Sequence, residues 1–147
     1  MGSPRFVQQL LERSAQACPE HPFLVHEGVR STYGEIDAGA NRLARVLLAE
    51  GLVCGDRVAL LARNSRLYVE AYFGIQKAGG IVVPLNILSG TRRLGDILDA
   101  CEARIVLVGA GCEKVARSSD WVKLIRARLI RNHLRHLHLL SNPGKQR

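Results

Sequence analysis

The chain is short of the features that would place it quickly. Its four cysteines, at positions 18, 54, 101 and 112, are separated by 36, 47 and 11 residues and form no C-x-x-C pair. Zinc-finger, thioredoxin-like and small disulfide-framework readings lose their support, and reduced thiols in a cytoplasmic protein fit instead. Long apolar runs are missing too, since none approaches the roughly 18 residues a spanning helix requires. The opening Met1-Gly2-Ser3-Pro4-Arg5 runs into Phe6-Val7-Gln8-Gln9, which breaks a signal-peptide apolar region early, and Phe6 stands where a myristoylation signal wants Ser or Thr. What is present is 147 residues, 47% hydrophobic and 23% charged, the balance of one modest globular domain.

The net charge of +8 is unevenly placed. Residues 1–111 carry 12 Lys+Arg against 11 Asp+Glu, whereas residues 112–147 carry 9 against 2. The sequence is therefore a nearly neutral body, 1–110, followed by a basic tail, 111–147, and the two call for separate readings.

Along the body, helical and strand patterns alternate. Apolar positions at 7, 10, 11 and 14/15 predict a short amphipathic helix, stopped by Pro19 and Pro22. Residues 23–26 and 29–33 flank Glu27-Gly28, a small hairpin by its turn chemistry. Thr32-Tyr33-Gly34-Glu35 fits a capping box, in which the Thr hydroxyl and the Glu carboxylate each take a free amide at a helix start. The helix that follows has Ile36, Ala40, Leu43, Ala44, Leu47 and Leu48 on one face, with Gly51 placed to end it.

Three uninterrupted apolar runs come next, at 58–62, 81–85 and 105–108. Continuous runs fit strands covered on both faces, as in a parallel sheet. A helix capped by Ser65 and ending at Gly79-Gly80 lies between the first two, and a helix capped by Thr91 lies between the last two. The order β-α-β-α-β, with right-handed crossovers, makes the class α/β: a partial parallel-sheet subdomain with an N-terminal helix and a small hairpin.

Thr32-Tyr33-Gly34-Glu35-Ile36, Ala40-Asn41-Arg42-Leu43-Ala44 and Gly55-Asp56-Arg57-Val58-Ala59-Leu60 occur here in that order. Asn64-Ser65, the stretch Ala71-Tyr72-Phe73-Gly74-Ile75-Gln76-Lys77-Ala78-Gly79-Gly80, Val82-Val83-Pro84-Leu85-Asn86 and the closing Ala103-Arg104-Ile105-Val106-Leu107-Val108 follow. In this register the body resembles the N-terminal segment of the AMP-forming acyl-CoA synthetases over about residues 5–110. No single piece is diagnostic; their succession is. The resemblance implies a two-step reaction: a carboxylate, such as a fatty or aromatic acid, attacks ATP to give an acyl-adenylate, and the thiol of coenzyme A displaces AMP. It implies ATP, Mg²⁺ and coenzyme A as the parent family's cofactors.

Such chemistry needs a Ser/Thr/Gly-rich loop for phosphate, an acidic ligand for Mg²⁺ and a cation to offset developing charge, which the resemblance implies to be a lysine. None of the four lysines, Lys77, Lys114, Lys123 and Lys145, follows such a loop. No residue is accordingly assigned a catalytic, cofactor-binding or metal role, and the chain is expected to bind no cofactor and to be inactive alone. The expected partners are a complementary ligase chain or a second copy, because relatives cover the sheet with chain not found here. A marginally stable or associating protein follows from that.

Other candidate sites have plainer readings. Gly109-Ala110-Gly111-Cys112-Glu113-Lys114 follows a strand as a dinucleotide loop does, but Lys114 occupies the third glycine position, and a flexible turn is preferred. Cys101 reads as a small core residue, and Arg92-Arg93 as a solvated helix start. His133, His136 and His138 lack a carboxylate or thiol to complete a metal site, with Arg131 and Arg135 adding repulsion. In the tail, Trp121, Leu124, Ile125, Leu129, Ile130, Leu134, Leu137 and Leu140 fall near helical period among Lys123, Arg126, Arg128, Arg131 and Arg135. A basic helix packed on the body, or partial disorder, is the expectation. The alternative function is a non-catalytic module presenting that helix to a membrane, a nucleic acid or another protein. Because the resemblance fades near Ala110, a frame-shifted or fused origin for the tail is a further expectation, testable in the other reading frames of the DNA.

Overall fold

In the computed structural model, residues 4–112, 126–128 and 137–141 are described. The chain divides into two compact units, one of Met1–Cys54 with Asn64–Gly80 and the other of Gly55–Arg63 with Ile81–Arg147.

The first unit is helical, with one hairpin. Helix α1 (Gln8–Ala17) buries Leu11 alone. Strands β1 (Pro22–His26) and β2 (Val29–Thr32) pair antiparallel about Glu27 and Gly28, both at positive φ. Helix α2 (Tyr33–Ala49) starts at the capping box that the sequence predicts: Glu35 N donates to Thr32 Oγ1 at 3.3 Å, and Thr32 N donates to Glu35 Oε2 at 3.0 Å. Helix α3 (Arg66–Lys77) is capped by Ser65, whose Oγ accepts from Tyr68 N at 3.2 Å. Its end needs a left-handed residue, supplied by Gly79 at φ +84, and Gly80 N then closes on Ile75 O at 2.9 Å.

Leu11, Ile36 and Ala40 form the centre of a core against which Phe23, Tyr33, Val69 and Phe73 pack. Phe23 meets Tyr33 edge-on with ring centroids 5.0 Å apart. α2 and α3 cross at Gly74, where a Cβ would stand 2.9 Å from that of Leu43 and 3.0 Å from the Ala40 carbonyl oxygen.

The second unit is the sheet. Strands β3 (Arg57–Leu61), β4 (Ile81–Pro84) and β5 (Ile105–Gly109) run parallel, β3 in the middle, with Ala59 beside Val83 on one side and Val106 on the other. Every side chain from Val58 to Leu61 is fully buried, and β5 is buried along its length, as continuous apolar runs require. Helix α4 (Thr91–Ala100) lays Leu94 and Leu98 on Ala59, Leu61, Val106 and Val108, with Leu85, Ala103 and Cys112 completing the cluster. Ile81 N and Leu85 N both donate towards β3, so by the two-residue period Pro84 faces the margin of β4 along which no described strand runs.

Two expectations need correction. Thr91 is not the cap of α4; the cap position is Gly90, no side chain caps it, and Thr91 is the first helical residue. The glycine already adopts the extended backbone a cap needs, so the helix begins one residue early. The basic helix expected over 121–140 does not hold where the tail is described. Arg126–Arg128 (β6) and Leu137–Ser141 (β7) are strands, and the sheet order is β4-β3-β5-β7-β6 with β7 antiparallel to β5. A parallel strand paired on one side only leaves a row of amides and carbonyls open, and β7 satisfies them along β5. Leu137-His138-Leu139-Leu140 is short enough to suit either period, and backbone pairing decides between them. The remainder of that helix lies outside the described residues.

Candidate functional site

In open α/β sheets, ligands sit beyond the carboxyl ends of the strands, where neighbouring connections leave in opposite directions. Here that place is between β3 and β5, whose chains exit at Ala62-Arg63 and Gly109-Ala110-Gly111. The geometry there is tight. A Cβ on Gly109 would fall 2.6 Å from that of Ala62, and Cys112 N donates back to Gly109 O at 3.1 Å, closing a turn with Gly111 at φ +81. This is the turn that the sequence favours over a phosphate loop. At the end of β4, Asn86 Oδ1 accepts from Leu88 N at 2.9 Å, a local turn that leaves Leu88 exposed.

The opposite end of the sheet carries charge, already committed. Asp56 is buried and its Oδ2 accepts from Arg104 at 2.7 Å. Arg57 donates through Nε to Cys101 O at 2.8 Å and pairs with Glu102 Oε2 at 2.8 Å. Glu102 has φ +50 at the end of α4, where Ala103 N returns to Leu98 O. The Gly55-Asp56-Arg57 motif is thus a double staple joining the entry of β3 to the corner between α4 and β5. Cys101 packs against the core, as expected, and Arg92 and Arg93 are exposed.

In the first unit, two ionic clusters escape a sequence reading. Lys77 is nearly enclosed: its Nζ donates to Glu12 Oε1 at 2.8 Å and stands 2.9 Å from Asp37 Oδ1, an ion contact without hydrogen-bond geometry. Asp37 Oδ2 accepts from Asn41 at 2.8 Å. Glu70, also buried, is held by Arg66 Nε at 2.7 Å and lies against Gly39, where a Cβ would come within 2.5 Å of both carboxylate oxygens. The hydrogen bond to Glu70 raises the Arg66 pKa above its ordinary value; partial burial works against it, and the charges of Glu70 and Glu35 add to it. Burial, and then Tyr72, raise that of Tyr68. Nothing in the sequence pattern marks Lys77 or Glu70 as enclosed, because helical period alone places both among mixed neighbours.

Chemically these clusters brace the fold. Asp56 and Glu70 each face an arginine, so they do not offer Mg²⁺ a set of free oxygens, and among the described residues no group of three His, Cys, Asp or Glu is placed to hold a metal. At the Gly109 turn the approach of Ala62 leaves no room for a side chain on residue 109. His133 and His136 lie outside the described residues, and His138, in β7, is paired through its backbone with Val108 of β5. No helix among the described residues is long and apolar enough to cross a membrane.

A three-stranded parallel core with alternating helices, stapled at the strand entries, defines an α/β scaffold. The AMP-binding enzyme family matches residues 11–143, beyond Ala110 and into the basic tail. Malpinin synthetase of Mortierella alpina is 37% identical over 114 residues, covering 78% of this chain and 2% of its own. Tyrocidine synthase 1 of Brevibacillus parabrevis is 32% identical over 141 residues, 93% of this chain and 13% of its own. A solved Mycobacterium tuberculosis fatty acyl CoA synthetase superposes with a TM-score of 0.71 at 34% identity, over 76% of this chain and 22% of that one. The chain belongs to the AMP-binding enzyme family, and it spans less than a quarter of each of these relatives.

Proposed function

We propose that the chain is a scaffold portion of an AMP-forming acid–thiol ligase, supplying part of the α/β frame while the groups that hold ATP and Mg²⁺ come from elsewhere. The observation that carries this reading is the match to the fatty acyl CoA synthetase, at 34% identity with a TM-score of 0.71. It supports a parent reaction in which a fatty or aromatic acid is adenylated and passed to coenzyme A. The likeness to synthetases such as tyrocidine synthase 1 favours a second reading, in which the activated acid is an amino acid and coenzyme A takes no part.

ATP–pyrophosphate exchange tests the proposal. The 147-residue chain alone, given a panel of fatty, aromatic and amino acids, gives no exchange. Residues 11–110 grafted in place of the matching segment of the fatty acyl CoA synthetase give a chimera that exchanges with its acid. Turnover by the chain alone, or a folded chimera without exchange, would overturn the scaffold reading. Coenzyme A dependence in a longer form of this protein separates the first reading from the second.

A further inference from the structure

Helix α1 is held differently from the rest of its unit. Only Leu11 of its ten residues is buried, while Leu10 and the preceding Phe6 and Val7 are each more than half exposed. Its start has no side-chain cap in contact, no acidic residue lies in its first turn and no basic one in its last. The amides of Arg5 and Phe6 turn inward to Gln9 Oε1, a purely local bond. A helix of this length is marginal by itself, so docking must sustain it. Its docking contacts include Leu11 against Ile36 and Ala40, and Glu12 against Lys77, and Arg13 is engaged as well.

Just beyond α1 the attachment changes. Gly34 N donates to Pro19 O at 2.9 Å and Tyr33 N to His21 O at 3.0 Å, so the chain is fastened to the start of α2 from Pro19 onward. Cys18, at φ −146 and ψ 64, joins the two stretches: its N donates to Ser14 O at 2.8 Å and its carbonyl accepts from His21 N at 3.1 Å, the one forward bond that a turn there must break. Lys77 also keeps Asp37 as a partner when Glu12 withdraws, so release of α1 does not strand an unpaired buried cation.

We infer that α1 is a detachable latch. It leaves its seat as one piece, turning at Cys18, in an opening separate from the unfolding of α2, and the Glu12–Lys77 pair sets how often.

Amide hydrogen exchange on the 147-residue chain, measured across low urea concentrations, tests this. Amides of residues 10–17 should exchange at least about tenfold faster than those of residues 43–47, with a much weaker dependence on urea. Glu12→Gln should speed the α1 amides by roughly threefold, the effect of losing an ion pair whose Glu12 end is partly exposed while Lys77 keeps Asp37. Brief trypsin treatment should cut after Arg13 before Arg42 or Arg45. A common rate and urea slope for α1 and α2, an α1 rate indifferent to Glu12→Gln, or a first cut within α2 would overturn the latch.

Discussion

Replacing Gly74 with alanine probes how closely α2 and α3 approach. The added methyl would sit 2.9 Å from Leu43 Cβ and 3.0 Å from the Ala40 carbonyl oxygen, both tighter than van der Waals contact allows. Neither neighbour can swing aside, because one is backbone and the other is the fixed first carbon of a buried side chain. The helices must separate by a few tenths of an ångström, and overpacking of that kind costs about 1–3 kcal/mol. Alanine returns about 1 kcal/mol of helix propensity. With backbone as the obstacle, the net loss should be about 1–2 kcal/mol, read as a lower urea midpoint at unchanged slope.

Gly39→Ala is the matched comparison. It gains the same propensity, and the three atoms nearest its new methyl belong to the Glu70 carboxyl group, the end of a side chain that can shift where backbone cannot, so the loss should be smaller than at Gly74. If Gly74→Ala is as stable as the parent, or Gly39→Ala is the costlier change, the account of the α2–α3 crossing fails.

Thr32→Ala removes the hydroxyl that receives Glu35 N and should lower stability by about 1 kcal/mol in urea melts, with helix content otherwise kept. At Glu102, held at φ +50, glycine should be about 0.5–1 kcal/mol more stable than alanine in the same assay, because both lose the exposed pair with Arg57 but only glycine accepts that backbone freely. The Tyr68 phenol ionises later in the folded chain than in the unfolded one. Its contribution is therefore intact below about pH 10 and is lost as pH rises towards the higher folded value, and Tyr68→Phe should flatten that alkaline decline in urea midpoints.

Local chemistry made much of this fold legible beforehand. Thr32 and Glu35, Ser65, and the Glu27-Gly28 turn act through neighbours three or fewer residues away, so their spacing carries the information. The apolar runs of β3 and β5 announced strands buried on both faces. The enclosure of Lys77 by Glu12 and Asp37, 65 and 40 positions away, depends on how helices dock, and no periodicity encodes it. The strand β7 was missed for a related reason: its pairing is decided by the open flank of β5 rather than by its own residues.

Pro84 has a consequence for how the sheet can grow. At the outward step of β4 an approaching polypeptide meets an oxygen to bind but no hydrogen to receive. A strand laid along that flank would therefore go without one rung of its hydrogen-bond ladder, a deficit written into the covalent structure of the residue itself.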